Sequence, residues 1–178
     1  CDVDVRHGNG PHPWQSNAHV HCVRFLKQND LLIARDRGSD QILTYQVDRE
    51  KRRLLLLHTY HCAPGTGPRY AVEHPFENYV FVVNELIPYV DTYAVDYLSG
   101  EIRHVRREAL LPNNYQEDDK AEAHAFGSYP SDISIHPNGN YLYVGMRGAN
   151  TISVFSLDLE QGMMKRVQTV KSGGINPR

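Results

Sequence analysis

No purely aliphatic run in the chain exceeds four residues, the length of Leu54-Leu55-Leu56-Leu57. That is far short of the ~20 apolar residues that span a bilayer, so no membrane partner is expected. No charged segment followed by an apolar core opens the chain, and no secretory signal is read there. Neither sign of charge is in excess: 19 Lys and Arg stand against 21 Asp and Glu, a formal net of -2. Such balance excludes a strongly basic nucleic-acid binder and a polyacidic tail. Cysteine is scarce, with only Cys1, Cys22 and Cys62. An odd, sparse set is no disulfide framework and points to a reducing, cytoplasmic compartment. The first residue is Cys1 rather than Met, so the true N-terminus is expected further upstream.

Several catalytic signatures are missing too. Gly65-Thr66-Gly67 is too short to cradle a phosphate and reads as a turn. Ser131 has no G-x-S-x-G context, which argues against a nucleophilic serine. His19, His21 and Cys22 fall close together, as do His58, His61 and Cys62. Residues at i and i+2 share one face of a strand. Neither spacing matches a zinc signature, and no carboxylate accompanies either group. No metal and no cofactor are expected.

What the chain does have is self-similarity. Three stretches carry one template: Val20-His21 to Arg37-Gly38, Pro68-Arg69 to Glu85-Leu86, and Pro130-Ser131 to Arg147-Gly148. In each, two polar positions lie 16 residues apart. Between them run a strand-like segment, a polar turn and a second strand-like segment. The second segments are near-continuous apolar runs, Leu31-Leu32-Ile33-Ala34, Tyr79-Val80-Phe81-Val82-Val83 and Tyr141-Leu142-Tyr143-Val144. Such runs suit strands covered on both faces. The turn before the last holds Asn138-Gly139, a strong turn dipeptide.

A third strand follows in each unit, over residues 40–48, 88–96 and 150–158, with apolar and polar residues alternating. Ile42, Val90 and Ile152 share one template position there; Tyr45, Tyr93 and Phe155 share another. A fourth strand fits residues 53–60, 101–107 and 163–170. Four-stranded units of about 40–50 residues are propeller blades. The fold class expected is therefore all-β: a partial β-propeller over residues 1–178, with antiparallel blades at about 19–67, 68–129 and 130–176. Residues 113–123 are an insertion in the second unit, read as a polar surface loop. Residues 117–126 are the best candidate for a helical turn or two. Pro177-Arg178 repeats the Pro68-Arg69 start, so a fourth unit begins as the chain ends.

Closed propellers use about four to eight blades. Three units and a start read as part of a longer protein, with a self-assembling partial ring as the alternative. Open blade edges invite pairing with another chain, so self-association of the isolated piece is expected.

Stacked repeats bring equivalent positions to one face. His21, Arg69 and Ser131 start the inner strands, and Arg37, Glu85 and Arg147 follow the next strands. All can face one mouth. Guanidinium groups gathered there favour an anionic ligand, whose carboxylate or phosphate oxygens match the planar fork. Glu85 among arginines is expected to stay ionised. Either Glu85 or His21 can serve as general base. Arg69 or Arg147 can stabilise an oxyanion. The competing reading is a ring of salt bridges that glues neighbouring blades.

At these same residues the chain resembles a known family, the seven-bladed propeller lactonases. That family includes the bacterial-type 6-phosphogluconolactonases and the fungal carboxy-muconate cyclases. The likeness is carried by Gly67-Pro68-Arg69-Tyr70, His74-Pro75, Val83-Asn84-Glu85-Leu86, the run from Ser131 through Gly139, Tyr141-Leu142-Tyr143-Val144, and Arg147-Gly148 with Ile152-Ser153-Val154-Phe155. It implies a seven-bladed parent and His21, Glu85, Arg69 and Arg147 as catalytic residues. With Arg37, His19 and Ser131 as substrate-binding residues, the expected activity is hydrolysis of an anionic sugar lactone such as 6-phosphogluconolactone. The alternatives are a muconate-type lactonizing cycloisomerase and a non-catalytic propeller that binds a protein partner. The expected partner of the site is a small anion, not nucleic acid.

Overall fold

In the computed structural model every regular element among the described residues is a β-strand. The structure describes residues 2–112, 115, 127–159 and 163–178. Apart from Tyr115, the expected insertion at 113–123 and the helical candidate at 117–126 lie outside the described residues. No helix long and apolar enough to cross a membrane is found among the described residues.

The first sheet contains β1 (Val20–Phe25), β2 (Leu31–Asp36), β3 (Gln41–Asp48) and β4 (Arg53–His61) in the order β1-β2-β3-β4. The second contains β5 (Pro68–Glu73), β6 (Tyr79–Asn84), β7 (Tyr89–Val95) and β8 (Ile102–Ala109), also in chain order. The third contains β9 (Tyr129–Ile135), β10 (Tyr141–Arg147), β11 (Thr151–Asp158) and β12 (Met163–Lys171). Every pairing is antiparallel. These are three propeller blades, side by side, with β1, β5 and β9 innermost.

The apolar runs explain the stacking. In β6, Val80 and Val82 join the cluster shared with the first blade, which includes Leu31, Ile33 and Ile42. Phe81 and Val83 point the other way, into the cluster with Leu142, Val144 and Met146 of the third blade. Both faces of the strand are therefore buried, and each fully buried aliphatic or Phe side chain stabilises the fold by about 1.5–3 kcal/mol. The template positions behave alike: Tyr45, Tyr93 and Phe155 are all buried. Tyr93 packs toward the first blade and Phe155 toward the second.

The third blade departs from expectation. In β10, Leu142, Val144 and Met146 are buried, whereas Tyr141 is exposed and Tyr143 and Gly145 are half-buried. Only the face toward the second blade is covered. The first blade's far face is partly covered by the N-terminal segment, where Asp4 accepts from the Tyr45 hydroxyl and Arg6 donates to Gln41.

Polar contacts lock the blades away from the mouth. Lys27 Nζ donates to the carbonyls of His74 and Glu77. His74 Nε2 lies 3.0 Å from the Gly139 carbonyl. Gly139 has φ +77°, and a Cβ there would press into that imidazole, so the Asn138-Gly139 turn needs its glycine.

One irregularity recurs in every blade. Between Val20 and Cys22 the first strand slips against β2, leaving His21 as an extra residue. Between Pro68 and Tyr70 the same slip leaves Arg69 extra. Opposite Gly145, between Pro130 and Ile133, it recurs at Ser131 and Asp132. These β-bulges turn the extra side chain out of the ladder's alternation.

Candidate functional site

Bulges and turns deliver the charged side chains. Arg37 follows β2 at a turn organised by the buried Asp36, whose Oδ1 accepts from the backbone N–H of His19, Gly38 and Ser39. The Arg37 N–H donates to the His19 carbonyl, tying turn to inner strand. Glu85 follows β6, and its N–H donates to the Gly67 carbonyl over 2.7 Å. The Asp40 carboxylate accepts from Gly65 and Gly67 N–H groups, fixing the connection that leads into β5.

Glu85 is 3% exposed and is reached from all three blades. Arg37 Nη1 donates to Oε2 over 2.8 Å. Arg147 Nη2 donates to Oε1 over 2.5 Å, and also to the Pro130 carbonyl. Arg69 Nε lies 3.2 Å from Oε1, while its Nη1 donates to the Ser131 carbonyl. Burial alone would raise the Glu85 pKa. The hydrogen bonds from Arg37 and Arg147 and the charge of Arg69 outweigh it and hold the carboxyl below its usual range.

The charge does not cancel. Three guanidinium groups against one carboxylate leave two positive charges around Glu85. The Nε groups of Arg37 and Arg147 are buried without a hydrogen-bond partner among the described residues.

His21 lies beside this cluster. Its ring packs edge-on against Tyr70, with centroids 5.4 Å apart, and stacks on His19 at 5.7 Å. Tyr70 also lies 4.7 Å under the Arg69 guanidinium, so it supports both groups. Burial and the adjacent Arg69 charge lower the His21 pKa to about 4, despite the opposing pull of Glu85. His21 is therefore neutral at pH 7, and its buried Nδ1 has no hydrogen-bond partner among the described residues.

The remaining expected residues take distinct places. His19 is exposed, with Nδ1 at 3.4 Å from Arg37 Nη2. Because the guanidinium donates, that nitrogen accepts. Ser131 reaches the cluster through its carbonyl, and its fully buried hydroxyl donates to the Gly145 carbonyl. His58 and Cys62 point elsewhere: His58 Nδ1 meets the Ile102 N–H, and the Cys62 thiol lies near the Tyr93 hydroxyl. Among the described residues no group of three or more His, Cys, Asp or Glu side chains is placed to hold a metal ion.

Three residues at the site had no place in the repeat pattern: Tyr70, Gln15 and Trp14. Gln15 is fully buried and donates to the Arg37 carbonyl. The Trp14 ring lies 6.0 Å from the Arg37 guanidinium carbon and 5.2 Å from the Tyr129 ring. For Gln15 and Trp14 the only signal in the sequence is a lone tryptophan shortly before the first repeat, whereas Tyr70 stands in the Gly67-Pro68-Arg69-Tyr70 segment.

Four-stranded antiparallel blades with a basic cluster where their inner strands meet define a partial β-propeller. The family model described as "Lactonase, 7-bladed beta-propeller" matches residues 2–178, and the chain belongs to that family. It is 29% identical to 6-phosphogluconolactonase of Bacillus subtilis (strain 168) over 171 residues, 96% of this chain and 46% of that protein. It is 32% identical to 6-phosphogluconolactonase of Formosa agariphila over 170 residues, 92% of this chain and 44% of that protein. A crystal structure from Lactobacillus plantarum superimposes with a TM-score of 0.86 at 27% identity, covering 97% of this chain and 47% of that one. The periplasmic gluconolactonase PpgL of Pseudomonas aeruginosa gives 0.84 at 24% identity, covering 99% and 48%, and shares the fold. The chain thus spans a little under half the length of these relatives.

Proposed function

We propose that this chain carries the anion-holding and proton-moving part of a lactone hydrolase acting on an anionic sugar lactone such as 6-phosphogluconolactone. One observation carries the proposal: a buried carboxylate held by three guanidinium groups, with two positive charges left over. Such a cluster favours a phosphate- or carboxylate-bearing ligand, because charge-assisted bonds from arginine to these groups are strong and directional. Family membership and relatives named 6-phosphogluconolactonase support the reaction type.

The roles divide by environment. Glu85 has its two oxygens occupied by arginines and a lowered pKa, so it is a poor proton acceptor. It orders the guanidinium groups. His21 is neutral at pH 7 and its Nδ1 is not engaged by an arginine, so it is the group left to act as general base, a weak one because burial and Arg69 lower its pKa to about 4. It removes a proton from water as the water oxygen attacks the lactone carbonyl. Arg69 or Arg147 stabilises the oxyanion that forms. The ring C–O bond then breaks, and the departing oxygen takes the proton from the His21 imidazolium. Water is consumed and the open-chain acid results.

The test is to replace Arg69 and Glu85 singly by Ala and measure hydrolysis of 6-phosphogluconolactone. A loss of a hundredfold or more is expected for each. Unchanged rates would remove these residues from the mechanism.

A further inference from the structure

The cluster is crossed by a short strap that no repeat contains. Residues 10–15 form a closed turn, with the Gly10 N–H donating to the Gln15 carbonyl and the Gln15 N–H to the His12 carbonyl. Gln15 locks it from within: its Oε1 accepts from the His12 N–H and its Nε2 donates to the Arg37 carbonyl. A Cβ on Gly10 would collide with this buried side chain, so the turn closes only around glycine. Trp14 projects from this fixed base. Its ring meets Arg37 of the first blade and Tyr129 of the third, and Tyr129 is the register partner of Arg147. The indole therefore bridges the first and third blades and reaches one of the arginines that hold Glu85.

Arg37 is the arginine of the cluster that the indole reaches. Its Nη1 is held by Glu85 and its Nη2 faces His19, yet its Nε is buried without a hydrogen-bond partner among the described residues. An aromatic face beside a guanidinium attracts it through the ring quadrupole while leaving its N–H groups directed in the guanidinium plane.

We propose that Trp14 is a positioning residue for anion binding: from the strap at residues 10–15 it holds Arg37 toward the shared mouth. The proposal rests on the reading of the cluster as an anion site. It makes the strap, rather than the blades alone, a determinant of affinity.

The experiment uses the full chain and two probes, inorganic phosphate and 6-phosphogluconate, with affinity read by calorimetry. Trp14→Phe keeps an aromatic face, whereas Trp14→Leu fills space without one. The expected result is near-wild-type affinity for Trp14→Phe and about fivefold weaker binding for Trp14→Leu, the ratio equivalent to about 1 kcal/mol. In the Arg37→Ala background the two Trp14 substitutions should become indistinguishable. Because Trp14 is the only tryptophan, Arg37→Ala should also alter the intrinsic fluorescence of the unliganded chain. Equal affinities for Trp14→Leu and wild type, or emission indifferent to Arg37→Ala, would overturn the role of Trp14 while leaving the anion site standing. Failure of the unsubstituted chain to bind either probe would overturn the anion site itself.

Discussion

Arg147 Nη2 lies 2.5 Å from Oε1 of Glu85, so a carboxylate at the end of one blade is closed by a guanidinium from the next. The contact is nearly shut off from solvent, with side-chain exposures of 6% and 4%. On the proposed reading of the cluster as an anion site, it joins stability to ligand binding, and the two should respond together.

Replacing Glu85 by Ala would leave three arginine charges crowded without their counter-ion. Removing one partner of a buried pair costs about 3–5 kcal/mol. Urea denaturation should show a loss of that order. Phosphate, by binding the released guanidinium groups, should restore part of it. A variant as stable as the parent would show that the arginines relax into solvent.

The pH dependence has a definite sign. The folded His21 pKa of about 4 lies below its ordinary 6.5. As pH falls from 6.5 toward 4, the unfolded chain takes up a proton that the folded site refuses, so this residue's contribution to stability declines across that window. Below about 4 both states are protonated and the decline stops. The acid limb of kcat/KM should likewise fall near pH 4 rather than 6.5. Histidine-resolved NMR titration reads the value directly, and a midpoint near 6.5 would contradict it.

A second buried charge sits away from the mouth. Asp91 is fully buried and accepts two bonds from Arg107, one from Asn84 and one from His104. Burial would raise its pKa, but these bonds outweigh burial and lower it. Its stabilising share is therefore present above the ordinary carboxylate range and lost as pH drops through the lowered value. Arg107→Ala should cost roughly 2 kcal/mol, with no change in affinity for phosphate. A change in phosphate affinity would mean that the network reaches the mouth.

Gly38→Ala should damage the site through the backbone. A Cβ there would drive into the Asn17 carbonyl and the His19 N–H, both main-chain atoms. Overpacking of this kind costs about 1–3 kcal/mol. Because Arg37 precedes Gly38 in the turn, anion affinity should drop as well, measurable by calorimetry beside thermal unfolding.

The uncovered face of the third blade presents Tyr141 and Tyr143, with a cavity of about 160 Å³ lined by Ser134, Ile152 and Arg178 among others. The isolated 178-residue chain is expected to associate through such surface. Light scattering at micromolar concentration should report a mass above 20.3 kDa, and a clean monomer would count against it.

The strand order was legible because each blade writes the same alternation at the same spacing. The 16-residue interval from His21 to Arg37 and from Arg69 to Glu85 brings those side chains together because it joins a bulge to the turn after the neighbouring strand. The bulges were not legible: an extra residue leaves no trace in an apolar pattern that its neighbours resume at once. Nor was the bare face of β10, since Tyr141-Leu142-Tyr143-Val144 is as apolar as Tyr79-Val80-Phe81-Val82. What differs is whether another blade packs there. Trp14 and Gln15 lie outside the repeat, so register arguments pass over them. Tyr70 sits one place beyond the template position, and its value arises from Arg69 and His21 converging on its ring.

The recurring bulge also sets the terms on which this mouth can diversify. Residues 21 and 69 are supernumerary in their strands, so exchanging one leaves the cross-strand partners where they were. Blades can therefore trade imidazole for guanidinium or hydroxyl one at a time, and a new chemistry can be tried without redesigning the blade strands that present it.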